Sequence, residues 1–287
     1  MTNTTLPPLH APYAGGDSDV ALKEARWVIE HAIAHHPRTL QTRIGPSEIG
    51  TPCEHCLAAK VAGWAQNRDG GWLPTIGTAL HAWIEAAFIQ RENDRGAQHD
   101  GGLRYLTEAD VMVGYIHGQE IWGSTDLLDR VVGMTVDWKL VGANTLTHAK
   151  RHGPSEVYRV QADLYAKGWN DAGVRVDHVA IAYLPRNAAT LDQAHWWTAP
   201  HDRARAVAAL DRANGLADNI AALEALGPDA VAAWIATLPR DPGCWDCARY
   251  PDAPAGHVPP GHHQPADTIA GLIPPTTDTT GAGATAA

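Results

Sequence analysis

The chain has 287 residues, a formal net charge of −10, 45% hydrophobic residues and a mean hydropathy of −0.25. That length suits one sizeable core with tails, or two small domains, and the balance is that of an ordinary soluble protein. No apolar run reaches about 18 residues, so no membrane span is expected. The start, Met1-Thr2-Asn3-Thr4-Thr5-Leu6-Pro7-Pro8, lacks the basic and apolar regions of a secretory signal, which leaves the cytoplasm as the default. The acidic balance argues against a broad basic surface for nucleic acid. A site built on bound cations, however, brings acids of its own. Basic residues gather at Lys150-Arg151-His152 and Arg203/Arg205.

Residues 1–17 are rich in Pro, Gly and Thr and read as flexible. Residues 19–35 carry an apolar stripe (Val20, Leu22, Trp27, Val28, Ile29) and predict an amphipathic helix. Ser47 is expected to cap a short helix bearing the first cysteines. Residues 75–90 predict a stronger helix, with Ile76, Leu80, Trp83, Ile84 and Ala87 at helical spacing and His81 and Glu85 on one face. A polar loop over 91–102 precedes three strand-like runs at 109–117, 120–128 and 131–140, the first two joined by a turn at Ile116-His117-Gly118-Gln119. Helices at 154–172, 200–226 and 228–238 and a strand at 176–184 complete an α/β order. Residues 251–287 hold seven prolines and neither Lys nor Arg, the composition of a disordered tail.

The densest chemical signal lies in Gly123-Ser124-Thr125-Asp126-Leu127-Leu128-Asp129 and Met134-Thr135-Val136-Asp137-Trp138-Lys139-Leu140. Residues i and i+2 of a strand share a face, so Asp137 and Lys139 point one way and Trp138 the other. A carboxylate pair beside a lysine suits a divalent cation and a water that attacks phosphorus. Asp129 reads as a turn or cap residue, and Glu108 as a weaker acidic candidate.

All four cysteines fall in two Cys-x-x-Cys pairs, Cys53/Cys56 and Cys244/Cys247, which bracket most of the folded region. Each pair can present both thiolates to one metal centre. Four thiolates hold either a tetrahedral zinc or an iron–sulfur cluster, and disulfides are the lesser use in a cytosolic chain.

Taken in order, His81, Asp126, Asp137-Trp138-Lys139 and Gln161-Ala162-Asp163-Leu164-Tyr165 resemble the PD-(D/E)xK nuclease superfamily, in its RecB-like branch, over roughly residues 44–250. The resemblance implies a restriction-endonuclease-like α/β core: a mixed central sheet flanked by helices and closed by a four-cysteine metal site. This nuclease domain would span 18–250, between the flexible segment 1–17 and the tail 251–287. It implies His81, Asp126, Asp137 and the Trp138 backbone carbonyl as ligands of Mg²⁺ or Mn²⁺. It implies Asp126, Asp137, Lys139, Gln161 and Tyr165 as the catalytic set, with Lys139 orienting the attacking water and Tyr165 touching the nucleic-acid backbone. Similarity to the Cas-four and AddB types implies a 4Fe–4S cluster on Cys53, Cys56, Cys244 and Cys247, with zinc as the alternative. That family splits its cysteines one before and three after the core; this chain has two and two.

The implied function is a metal-dependent DNA exonuclease acting at single-stranded ends in recombination or repair, with a phage or mobile-element role by analogy. Its partners would be DNA and a recombination or annealing protein. The alternatives are a non-catalytic DNA-end-binding adaptor that keeps the fold and cluster, and an iron–sulfur redox sensor. The sequence does not report an oligomeric state.

Overall fold

The computed structural model describes residues 17–35, 44–66, 71–95 and 102–252. The expectations for 1–16 and 253–287 lie outside the described residues. Helix α1 (Ser18–Ala34) begins where the Asp17 carboxylate accepts the Asp19 N–H at 2.8 Å. No residue of α1 is buried, and Val20, Leu22, Trp27, Val28 and Ile29 are exposed, so the expected helix forms but its stripe is not covered by the described chain. Two short helices follow, α2 (Pro46–Ile49) and α3 (Glu54–Val61). Ser47 lies inside α2, whose N-cap is Gly45, while Cys53 caps α3; the expected Ser47 cap is corrected on both counts. Proline is well suited to the first helical turn, and Pro46 takes it here. Helix α4 (Trp72–Arg95) runs past the predicted end at Gln90.

Five strands form one sheet in the order β1 (Tyr105–Ile116), β2 (Gln119–Asp129), β3 (Met134–Val141), β4 (His178–Pro185) and β5 (His195–Pro200). The first three strands run as an antiparallel meander, β3 and β4 are parallel, and β4 and β5 are antiparallel. The β1–β2 turn is the expected one: His117 and Gly118 both have positive φ (46° and 75°), as a two-residue mirror-image turn requires. Parallel neighbours need a long crossover, and helices α5 (Ala143–His152) and α6 (Glu156–Asp171) provide it.

The strand period of two divides the sheet into two faces. Leu127, Val136 and Trp138 meet Leu80, Ile84 and Phe88 of α4 on one side. Leu128, Ile181 and Tyr183 meet Ala162 and Ala166 of α6 on the other. Further along that side, Val160, Leu164 and Tyr165 pack with Val111 and Val113 of β1 and with α7 (Arg203–Glu224). Asp163, fully buried, ties α6 to the start of α7 by accepting from the Asp202 N–H at 2.8 Å and Arg205 Nη1 at 2.6 Å. A separate cluster gathers the cysteines with Leu57 of α3, Ile220 of α7 and Ile235 of α8 (Pro228–Thr237).

The mixed α/β sheet flanked by helices, with the four cysteines brought together, is therefore the expected fold class. Two elements have no counterpart in the sequence reading. Helix α5 buries only Leu146 and Ala149, too few apolar positions to show a period. Strand β5 is an edge strand with alternating half-buried and exposed residues. No helix among the described residues is long and apolar enough to cross a membrane.

Candidate active site

Backbone pairing between β2 and β3 runs through Asp129/Met134, Leu128/Thr135 and Leu127/Val136. The next step sets Asp126 opposite Asp137, and there a side chain takes over from the backbone. Asp126 Oδ2 accepts the Trp138 N–H at 2.7 Å. The strands part at this point, leaving the two carboxylates at the fork, with Asp137 on the α6 face. Lys139, two residues beyond Asp137, shares that face. Its Nζ lies 2.7 Å from Asp137 Oδ2, donates to Gln161 Oε1 at 2.9 Å and sits 4.7 Å over the Tyr158 ring. Both Asp137 oxygens are sealed from solvent and lack a hydrogen bond of good geometry, the Lys139 contact being an ion pair only.

His81 reaches the fork from α4. Its Nε2 is 3.1 Å from the Trp138 carbonyl oxygen, and its Nδ1 is 3.4 Å from Asp126 Oδ1 and 3.5 Å from Glu108 Oε1. Ligand atoms of His81, Glu108 and Asp126 all lie within 4.8 Å of one another. If Nε2 donates to the carbonyl, a neutral ring turns a bare Nδ1 lone pair toward two carboxylates. Only a proton or a cation between them removes that repulsion.

The electrostatics follow from these contacts. Burial pushes Asp137 up to about 6, against the pull of Lys139, with Asp126 adding to the rise. Asp126 first, then Glu108, hold the His81 imidazole up to about 10, against burial. These are charge pairs, since Nδ1 has no hydrogen bond of good geometry. Burial works to lower the Lys139 ammonium, but Asp137 outweighs it and the net direction is up. In the cation-free chain the site is thus a strained set of acids, balanced by one lysine and one histidine. A buried carboxylate oxygen with no partner, as Asp137 Oδ1 is, fits a hard divalent cation, which prefers oxygen ligands.

The structure brings together His81, Asp126, Asp137, the Trp138 carbonyl, Lys139 and Gln161. Tyr165 stands elsewhere, buried in the core beside β1. A Cβ on Gly123 would lie 2.9 Å from Tyr165 Cε1 and 2.5 Å from Pro46 Cγ, so Gly123 is the seat on which both rings rest. Gly123→Ala is expected to lower stability by about 1–3 kcal/mol through overpacking, read as a drop in urea midpoint with unchanged slope. Asp129 is a turn residue as expected, accepting from the Val131 N–H at 3.0 Å and pairing with Arg104 at 2.7 Å. Of the two basic groups, Arg203 and Arg205 are neutralised by Asp171 and Asp163. Lys150, Arg151 and His152 form the exposed last turn of α5.

Glu108 is the site residue that the sequence underrated. Thr107/Leu127 and Ala109/Thr125 bracket it, which sets it opposite Asp126, and its φ of +43° is a left-handed value uncommon outside glycine. Ser124 Oγ donates to Glu108 Oε2 at 3.1 Å. Backbone held this way at a cluster of acids is strain retained by its surroundings.

The four cysteines form a second centre. Cys53 and Cys56 flank the start of α3; Cys244 and Cys247 flank the start of a 3₁₀ turn, Trp245–Ala248. Their Sγ atoms all lie within 4.8 Å of one another, close enough to share a metal. Lys60, buried in α3, donates to Asp246 at 2.8 Å and Thr51 at 3.2 Å, stitching the two halves together.

No family model matches the chain, and no curated protein matches its sequence. Among solved structures it is similar to SSO0001, at 14% identity over 70% of this chain and 87% of that one, with a TM-score of 0.42. It is also similar to an alkaline exonuclease, LHK-Exo, from Laribacter hongkongensis, at 13% identity over 70% of this chain and 95% of that one, with a TM-score of 0.41. Similarity this distant carries no argument about activity, which rests on the residues themselves.

Proposed function

We propose that this chain is a deoxyribonuclease that hydrolyses phosphodiester bonds with the help of a divalent cation. The observation that carries the reading is Asp137: a buried carboxylate across a strand fork from Asp126, its Oδ1 without a hydrogen bond and its Oδ2 paired with Lys139 at 2.7 Å. Asp126, Asp137, His81 and the Trp138 carbonyl would hold Mg²⁺ or Mn²⁺, which supplies Lewis-acid polarisation of the phosphate and eases deprotonation of water. Lys139, positioned by Asp137 and Gln161, would hold the attacking water and offer positive charge to the phosphoryl oxygens as negative charge grows on them. The Trp138 N–H fixes Asp126 in place. Glu108 adds a third carboxylate at the rim, beside His81. Tyr165 acts from the core, supporting β2 through Gly123. The sequence resemblance favours exonuclease action at single-stranded ends, in recombination or repair, from a nuclease domain over 18–250.

The test is cleavage of end-labelled single-stranded and duplex DNA with Mn²⁺, Mg²⁺ or EDTA. Degradation that needs the cation, stops in EDTA and returns on adding Mn²⁺ alone is the expected result. A folded, cation-supplied protein that binds DNA ends and never cuts them would sink the enzyme and leave the adaptor.

A pH dependence follows from Asp137. Its carboxyl is held up at about 6, above its usual value, so in cation-free protein it contributes stability at low pH that is lost as pH rises through about 6. Cation binding needs the ionised form and recovers that loss. Mn²⁺ at about a hundred times its Kd should add roughly 2.7 kcal/mol, a rise of several degrees in melting temperature. That rise should appear at pH 7.5 and fade below pH 6, with His81, Lys139, Asp126, Glu108, Tyr158 and Tyr183 as the other titratable groups around Asp137.

A further inference from the structure

The resemblance to iron–sulfur nucleases asks the four cysteines to hold a cubane cluster, and their geometry does not fit one. In a cubane the thiolates bind its four outer corners, which sets their sulfurs roughly 6 Å apart. Here Cys53 Sγ lies 3.7 Å from Cys247 Sγ, Cys56 Sγ is 3.6 Å from Cys247 Sγ, and Cys244 Sγ is 3.7 Å from Cys56 Sγ. All four sulfurs fall within 4.8 Å of one another. A single ion with metal–sulfur bonds of about 2.3 Å in tetrahedral geometry sets sulfur–sulfur edges of about 3.8 Å. The observed separations match that tetrahedron and leave no room for a cube of iron and sulfide.

We infer that Cys53, Cys56, Cys244 and Cys247 hold one tetrahedral zinc ion and not an iron–sulfur cluster. Three further observations agree. The ligands divide two and two, as a pair of Cys-x-x-Cys knuckles suited to zinc. Each knuckle places its first cysteine at the cap of a short helical turn and its second inside that turn, so both thiolates converge on one point. Cys53 and Cys56 are buried in the apolar cluster of α3, α7 and α8 and Cys244 and Cys247 are half-buried against it, and four protein thiolates fill all four positions, as a structural zinc requires. Positive charge to balance the thiolates is near: Arg240 stabilises its guanidinium charge against Cys247 and Asp252, and its Nη2 lies 2.9 Å from His55 Nε2, while His55 Nδ1 is 3.8 Å from Cys56 Sγ. The centre is therefore a redox-inert staple between the N-terminal segment and the C-terminal turn, and the redox-sensor reading has no cluster to act through.

The experiment is elemental analysis of the full-length protein, purified without oxygen from cells supplied with both iron and zinc, alongside acid-labile sulfide and the visible spectrum. One zinc per chain, with no sulfide and no broad visible absorption, is expected. Reconstitution with Co²⁺ should then give the intense thiolate charge-transfer bands of a tetrahedral four-sulfur site, absent from Cys56→Ser/Cys247→Ser. Iron and sulfide near four each per chain would overturn the assignment. So would a folded, metal-free protein whose four thiols all react with a thiol reagent. None of these readouts depends on DNA cleavage.

Discussion

Asp137→Ala is expected to cost the proposed cation-dependent cleavage while leaving a folded chain. The expected loss is a hundredfold to a thousandfold or more in rate, the range for removing one preorganised electrostatic group, or about 3–4 kcal/mol of transition-state stabilisation. The size follows from position. Asp137 is a cation ligand candidate in its own right and the partner that holds Lys139 in place, so one substitution removes two functions. Lys139 keeps its hydrogen bond to Gln161, and Asp126 keeps its bond to the Trp138 N–H, so β3 has no reason to leave the sheet. The measurement is cleavage of end-labelled DNA beside the Mn²⁺-induced melting shift. Both should vanish together in the variant, because both need the same carboxylate. Cleavage within a factor of a few of wild type, at saturating Mn²⁺, would remove Asp137 from the reaction and the fork from the active site. Gln161→Ala is the graded companion: it frees one side of Lys139 but touches no cation ligand, so the melting shift should survive while the rate falls.

The face shared by Asp137 and Lys139 was readable in sequence, because strand period does not depend on what packs nearby. Asp137, Trp138 and Lys139 alternate faces as any strand must, and the turn at His117-Gly118 fixes which strands pair. Glu108 was read only as a weaker acidic candidate, for a definite reason. Counted from that turn, the pairing of Ile116 with Gln119 would set Glu108 opposite Leu127. A bulge between Met112 and Gly114 shifts the register by one, so Glu108 comes opposite Asp126 instead. A shift of one residue changes which side chains are neighbours across the whole remaining ladder, and nothing local in the sequence announces it. Tyr165 shows the converse. Its spacing from Gln161 correctly puts both on one helix, but where a tyrosine lands depends on the neighbours above it, here a missing side chain at Gly123 and the ring of Pro46. The cysteine pairing was visible as spacing, while the number of metal ions is a matter of sulfur–sulfur distance that spacing does not encode.

Cys56→Ser, by the same reasoning, is the largest expected change in stability. Cys56 is fully buried, and its sulfur stands 3.6 Å from Cys247 and 3.7 Å from Cys244, across a separation of 191 residues to Cys247. A structural ion shared by thiolates this far apart in sequence binds the folded chain and not the unfolded one, so its binding energy is folding energy, and losing one ligand should remove a large share of a domain's total of roughly 5–15 kcal/mol. Opening should start locally. Hydrogen exchange is expected to rise first over 44–66 and 239–252, and the sheet should hold longer because its core clusters contain no cysteine. Activity should then fall without any catalytic residue having changed: α2 belongs to the released segment, and Pro46 of α2 is one of the two rings seated on Gly123, three residues before Asp126. Cys56→Ser that melts within a degree of wild type, with unchanged exchange at both segments, would show that the cysteines hold nothing the fold needs. A variant that loosens at those segments, yet still cuts DNA at the wild-type rate, would separate the staple from the active site and confine its role to stability.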